Sequence, residues 1–287
     1  MKAHERHYAT PSCVNAKAFW YSANCVMTDT PKPSGMPPRP DDVVSAPDRL
    51  FAEPRAQVND FNFGTETAAV FDDMLDRSVP FYGEIQRMIG ELAGDFAADG
   101  SSIYDLGCST ANTFLSIGPN LTPDLNVRFI GLDSSEEMLR KAEQKLQSTR
   151  FPWPFELRHQ DLNEGVPIEN ASVALMVLTL QFVRPLNRET LITSLHRGLN
   201  HNGCLILVEK VLSEHTTFNR LFINHYYEMK KRKGYSEIEI SQKREALENV
   251  LVPYHLDENV RLLRQCGFRH LDVFFKWYNF CGVVAIK

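Results

Sequence analysis

Beyond about Asp48 the apolar and polar positions fall into regular rhythms. The stretch ETAAVFDDMLDRSVPFYGEIQRMIGELAGDFA sets Val70, Phe71, Met74 and Leu75, then Ile85, Met88, Ile89 and Leu92, at helical spacing. Such spacing lines one face of a helix. Ser78-Val79-Pro80 interrupts it. Proline lacks the N–H that a helix interior needs, so two helices with a break are expected. Short apolar runs follow: SSIYDLG, VRFIGLD, FELRHQD, SVALMVLTL and CLILVEK. They are apolar on both faces, as strands covered twice are. Helical stretches separate several of them, notably Ser135 to Leu146 and Arg188 to Leu199. Strand, helix, strand, repeated, predicts an α/β fold with a mostly parallel sheet wrapped by helices.

The rhythm then changes. TFNRLFINHYYEMKKRKGYSEIEISQKREALENVL reads as a mostly helical insertion near 213–252, crossed by Gly234. NVRLLRQCGF is one more amphipathic helix. RHLDVFFKWYNFCGVVAIK closes the chain as two apolar runs joined near Tyr278-Asn279, an antiparallel pair at one sheet edge. The expected organisation is a single domain over 48–287 preceded by an extension over 1–47. TDTPKPSGMPPRPDD, within that extension, is rich in proline and polar residues, and disorder is the expectation. The segment before it has few acids and a few bases, as an organelle transit peptide has. The alternative is an extension without function, with Met27 as the true start.

Of the 287 residues, 43% are hydrophobic and 23% charged, enough apolar material for a sizeable core. No window offers the ~20 consecutive apolar residues of a membrane helix, so no membrane partner is expected. The net charge of −5 argues against a broad nucleic-acid-binding face. The six cysteines form no C-x-x-C pair and no cluster with histidine, so no metal is expected. They read as reduced thiols of a cytoplasmic protein.

Ligands of open parallel sheets bind at the carboxyl ends of strands. Asp105, Asp133 and Asp161 fall at three such ends. A carboxylate at the end of the second strand, twenty-odd residues past a glycine loop, is placed to accept from a ribose diol. A dinucleotide loop would want G-x-G-x-x-G, because its backbone must approach a pyrophosphate. Here GCSTAN supplies Gly107 alone. A nucleoside without phosphates needs less close approach, and S-adenosylmethionine is one. Asp161 with Leu162 can meet an adenine edge, or the aspartate can simply cap a turn. The basic run KKRKGY reads as a solvated helix end, where positive charge suits the dipole. Arg244 either joins a surface ion pair or points into the ligand cleft to grip a carboxylate.

DRSVPFYGEIQRMIGEL, YDLGCS, ENASVALMVLTLQF and, most specifically, GYSEIEISQKREALENVL resemble the carboxy-S-adenosyl-L-methionine synthases, over about Asp48 to Lys287. The resemblance implies a class I methyltransferase-like, Rossmann-type fold with a seven-stranded sheet, mostly parallel with an antiparallel edge. It implies conversion of S-adenosyl-L-methionine and prephenate into carboxy-S-adenosyl-L-methionine and phenylpyruvate. It also implies a homodimer that does not itself bind tRNA. The product would feed a tRNA carboxymethyltransferase acting on a wobble uridine, on the way to 5-oxyacetyluridine. Carried over by motif, Tyr82 contacts the cofactor, and Gly107, Cys108 and Ser109 line its amino-acid end. Asp133 takes the ribose hydroxyls with Ser134 beside it, Asp161 and Leu162 fix the adenine, and Val177 lies at the end of the fourth strand. Arg244 meets the extra carboxylate of the product and is the expected catalytic residue.

The chemistry has its own logic. A sulfonium methyl is weakly acidic, because the neighbouring positive sulfur stabilises a carbanion. Once deprotonated it is an ylide that attacks carbon dioxide, and a guanidinium near the new carboxylate would stabilise the developing charge. Two positions depart from the family pattern: Ala111 stands where glycine is usual, and Val177 where asparagine is usual. An ordinary methyltransferase and a non-catalytic nucleoside-binding subunit are the alternatives on the same fold.

Overall fold

The computed structural model describes residues 46–287, so residues 1–45 of the expected extension lie outside it. Helix α1 (Thr65–Ser78) and helix α2 (Tyr82–Phe96) form where the apolar stripe predicts them. Val79 is extended and Phe81 is left-handed (φ 53°), so the chain turns sharply at the expected break.

The strands are β1 (Ser102–Leu106), β2 (Arg128–Asp133), β3 (Phe155–His159), β4 (Ala171–Val177), β5 (Leu199–Leu212), β6 (Tyr254–His255), β7 (His270–Trp277) and β8 (Phe280–Ile286). Their order is β3-β2-β1-β4-β5-β8-β7. The pairs β2–β3, β1–β2, β1–β4 and β4–β5 are parallel; β5–β8 and β7–β8 are antiparallel. These are the seven expected strands, and the two-residue β6 runs beside the end of β5 as an eighth. The chain order reverses across β1, which has β2 on one side and β4 on the other, and so opens a crevice at the strand ends.

The remaining helices are α3 (Asn112–Ile117), α4 (Glu136–Ser148), α5 (Pro185–Gly198), α6 (Thr216–Arg232), α7 (Glu237–Leu247) and α8 (Leu256–Gln265). The strands' period of two divides the core into two layers. Ile103, Phe129, Leu175 and Ile206 pack with Ile85 and Ile89 of α2 and Phe114 of α3. Leu106, Leu132, Met176 and Leu207 pack with Leu191 and Ile192 of α5 and Leu263 of α8. Each large apolar side chain buried this way contributes roughly 1.5–3 kcal/mol, which is what keeps the strand ends in register.

A polar knot fastens α1 to the sheet. The Lys145 amine donates to Asp72 at 2.7 Å, to Thr110 at 2.9 Å and to Asn112 at 2.6 Å. Asp72 accepts in turn from Thr110 (2.7 Å) and Asn112 (2.9 Å). Burial works against the Asp72 carboxylate, but the Lys145 charge and these donors hold it below its ordinary range.

Asp105 is the opposite case. It lies within β1, 1% exposed, and neither carboxyl oxygen has a hydrogen-bond partner among the described residues. Burial, with the nearby Asp133 charge, pushes it up to about 7. An acid raised on folding contributes fully below its unfolded pKa of about 3.8, and that contribution is lost as pH rises towards about 7. Asp105→Asn should therefore match the parent protein near pH 4. Its advantage should grow to a few kcal/mol (on the order of 2–4) by pH 7–8 and then level off, read by urea unfolding of the ligand-free protein across pH. A constant difference between the two across that range would show that Asp105 is not buried as an acid.

Candidate functional site

The turn after β1 is built from left-handed residues: Gly107 (φ 77°), Ser109 (φ 48°) and Ala111 (φ 61°). At Gly107 only glycine fits, because a Cβ would stand 2.5 Å from the Thr179 side chain. Ala111 holds a conformation that L-residues adopt at a cost of about 1–2 kcal/mol, and its methyl is fully buried. The Gly107 and Cys108 N–H groups donate to the Leu132 carbonyl at 2.7 and 3.0 Å, tying the turn to β2.

Asp133 completes that tie. Its Oδ2 accepts from the Ser109 N–H and its Oδ1 from the Ser135 N–H, both at 2.9 Å. The residue is 8% exposed, and burial raises its pKa against these donors. Each carboxylate oxygen has two lone pairs, so each keeps one for a ligand hydroxyl. Ser134, exposed beside it, lines the same cleft. Asp161 uses Oδ1 to cap the turn after β3, accepting from the Asn163 N–H and side-chain amide at 2.9 Å each. It caps and lines the cleft at once, with Leu162 buried behind it.

Tyr82, Cys108 and Val177 also line the cleft. The Tyr82 hydroxyl accepts from Asn112 at a long 3.4 Å, and burial raises its pKa. Cys108 is 4% exposed, and burial holds its thiol well above the ordinary range, so it packs rather than reacts. Gly107, Cys108, Ser109, Asp133, Ser134, Asp161 and Leu162 thus meet at the ends of β1, β2 and β3, with Tyr82 of α2 and Val177 of β4 on the same cleft.

Arg244 does not join them. It lies exposed on α7, in a separate hollow with Tyr227, Glu228, Lys231 and Glu237. Its neighbour Lys243 lines the cleft instead, 6% exposed. The reason is helical: Ile240, Lys243 and Ala246 share the buried face, and one residue further on turns about 100° away. The run KKRKGY is likewise not solvated throughout. Lys230 is 4% exposed, its amine 4.9 Å from the Tyr235 ring centre and 5.7 Å from that of Tyr226.

Sequence reasoning passed over several cleft residues. Phe63 packs edge-on against Phe182 at 5.3 Å and Phe71 at 6.3 Å, closing the cleft beside α1. Thr179, Lys210, Tyr226 and Phe280 line it further along. One signal was readable: CLILVEK places an ionisable pair, Glu209-Lys210, at the end of an apolar strand. Glu209 turns inward and accepts from the N–H groups of Thr179, Leu180 and Gln181 at 2.8–3.1 Å, fixing the turn after β4. Lys210 turns into the cleft.

Gly107→Ala adds a methyl in a left-handed position against Thr179. It should lower stability by about 2 kcal/mol or more, read by chemical denaturation, and abolish nucleoside binding by titration calorimetry. Unchanged values for both would show the turn to be slack.

Residues 103–203 match the family model described as a methyltransferase domain. An S-adenosylmethionine-dependent methyltransferase from Aquifex aeolicus superposes with TM-score 0.52 at 16% identity, over 78% of this chain and 99% of that one. An O-methyltransferase family protein from Burkholderia thailandensis gives 0.57 at 12% identity, over 78% and 60%. Both show the fold. The carboxy-S-adenosyl-L-methionine synthase of Methylococcus capsulatus is 56% identical over 240 residues, 84% of this chain and 99% of that protein. The synthase of Sulfurimonas denitrificans is 44% identical over 240 residues, 84% and 99% of the two chains. With 56% identity over 84% of its length and 99% of that relative's, the chain belongs to the carboxy-S-adenosyl-L-methionine synthase family.

Proposed function

We propose that the protein converts S-adenosyl-L-methionine and prephenate into carboxy-S-adenosyl-L-methionine and phenylpyruvate. The observation that carries this reading is one cleft with two chemistries. A nucleoside end at Asp133 and Asp161 adjoins an end walled by lysines and aromatic rings. In the proposed reaction prephenate loses its ring carboxylate as carbon dioxide and its ring hydroxyl as hydroxide. The electron pair of the broken C–C bond completes the aromatic ring. The hydroxide takes the sulfonium methyl proton and leaves as water, and the ylide carbon bonds to the carbon dioxide. Atoms and charge balance without a metal or redox partner.

In this reading Asp133 holds the ribose diol with Ser134 beside it, and Asp161 and Leu162 hold the adenine. Gly107, Cys108 and Ser109 bed the amino-acid end, and Tyr82 and Val177 shape the space around the sulfonium. Arg244 lies outside its own chain's cleft, so its role towards the product carboxylate needs delivery across a homodimer contact. The exposed Phe218 and Leu221 of α6 and Ile238 of α7 lie on the elements that border Arg244, and support such a contact. No helix among the described residues is long and apolar enough to cross a membrane. The net charge of −5 suits an enzyme of small molecules that leaves tRNA to a carboxymethyltransferase in the cytoplasm.

Incubation with S-adenosyl-L-methionine and prephenate should yield a nucleoside heavier by one carbon dioxide, detected by mass spectrometry, and none without prephenate. Methyl transfer that ignores prephenate would instead identify an ordinary methyltransferase, the reading that Val177 in place of asparagine favours. Arg244→Ala should lower turnover about tenfold or more. Co-refolding Arg244→Ala with Gly107→Ala should restore part of it, because one cleft of each mixed dimer keeps both residues. No recovery would assign Arg244 to structure within its own chain.

A further inference from the structure

The cleft has a second end that the nucleoside does not need. The strand order sets β2 and β3 on one side of β1, and β4, β5 and β8 on the other. Asp133 and Asp161 stand at the first side; Lys210 of β5 and Phe280 of β8 stand at the second, with Tyr226 of α6 and Lys243 of α7. The Lys210 amine lies 5.0 Å from the Tyr226 ring centre and 5.9 Å from that of Phe280. Among the described residues that amine has no ion pair and no hydrogen bond. Behind Tyr226, the Lys230 amine is buried between two rings, also without an ion pair.

Lysine amines seldom gather in a low-dielectric wall without counter-charge. Of the three, only Lys243 has a carboxylate in contact among the described residues, Asp48 at 3.2 Å. Glu239, the other nearby acid, is taken up by the N-cap of α7, where its carboxylate accepts from the Ser236 N–H and hydroxyl. Arg77, over Tyr235, is met by Asp73. Two of the three amines, those of Lys210 and Lys230, thus have no carboxylate in contact among the described residues. Burial and the Lys243 charge push Lys210 down to about 8. Burial, with Lys243 and Lys210, pushes Lys230 down to about 7. An anion arriving beside them offsets the repulsion among the amines and favours their charged forms.

We propose that Lys210 and Lys243, backed by Lys230, bind the retained 2-oxo-carboxylate arm of the second substrate, while Tyr226 and Phe280 pack against its six-membered ring. The proposal rests on the reaction proposed above and adds the site of its co-substrate. The arm is the retained one for a physical reason. An ammonium on the departing carboxylate would stabilise a charge that vanishes as carbon dioxide forms, and so would raise the barrier. The departing group is better set against the apolar rings, in a desolvated space. The cations then anchor a group whose charge does not change, and fix the ring beside the sulfonium methyl.

The test varies prephenate in steady-state assays of the parent protein, Lys210→Met and Lys210→Arg. S-adenosyl-L-methionine affinity is measured separately by calorimetry. Lys210→Met should raise the KM for prephenate about tenfold or more and shift nucleoside affinity less than about twofold, while Lys210→Arg should recover much of the loss. An unchanged KM in Lys210→Met, or a loss confined to nucleoside affinity, overturns the proposal. If the parent protein makes no carboxylated nucleoside from prephenate, the reaction itself is wrong, and that result is distinguishable from the first. Should Lys210→Met fail to fold, the parent protein decides. Phenylpyruvate should slow trinitrophenylation of Lys210 several-fold, read by peptide mass spectrometry, and absence of protection overturns the assignment.

Discussion

Asp133 is the point on which the site turns. One oxygen holds the Ser109 N–H and the other holds the Ser135 N–H. A single carboxylate thus spans the turns after β1 and β2, two adjacent parallel strands of the sheet. Without it the left-handed Ser109 would lose the contact that holds its strained backbone. The same carboxylate retains a lone pair on each oxygen, so the group that organises the loop also faces the ligand. Its burial carries an electrostatic cost, seen in its raised pKa, which two backbone donors only partly offset.

Around that point the cleft separates two kinds of recognition. At the nucleoside end carboxylates and turn amides are arranged for hydroxyl and amine groups. At the far end lysines and aromatic rings form the wall, and the Lys210 and Lys230 amines have no carboxylate in contact among the described residues. Both ends rest on rigid supports. The Lys145–Asp72 knot pins α1 to the β1 turn, and Glu209 pins the turn after β4 through three backbone amides. A reaction between a sulfonium and an anion needs these ends held at fixed separation, and positioning of this kind supplies much of a barrier reduction.

Much of the fold was legible because it depends on local periodicity. The break at Ser78-Val79-Pro80, the five strand runs and the closing antiparallel pair follow from spacing and proline chemistry. The eighth strand was not legible: two residues, Tyr254 and His255, carry no period and pair only because β5 runs past its neighbours. The nucleoside end was legible because Asp133 ends β2 and Asp161 comes two residues after β3. The cationic end was not, because Lys210, Tyr226, Lys243 and Phe280 lie on four different elements.

The pair Lys243-Arg244 shows where the division falls. By itself the chain determined that two cations sit side by side on a helix, that a carboxylate ends the second strand and that one glycine opens the first turn. Only packing decided which cation faces inward, since helical rotation sends adjacent residues about 100° apart and the buried face is chosen by Ile240 and Ala246. The same holds for Lys230, which a solvent-facing reading of KKRKGY would leave outside and which Tyr226 and Tyr235 enclose. Periodicity is local and survives in the sequence; the direction of a long polar side chain depends on contacts between distant segments, and those exist only once the chain has folded.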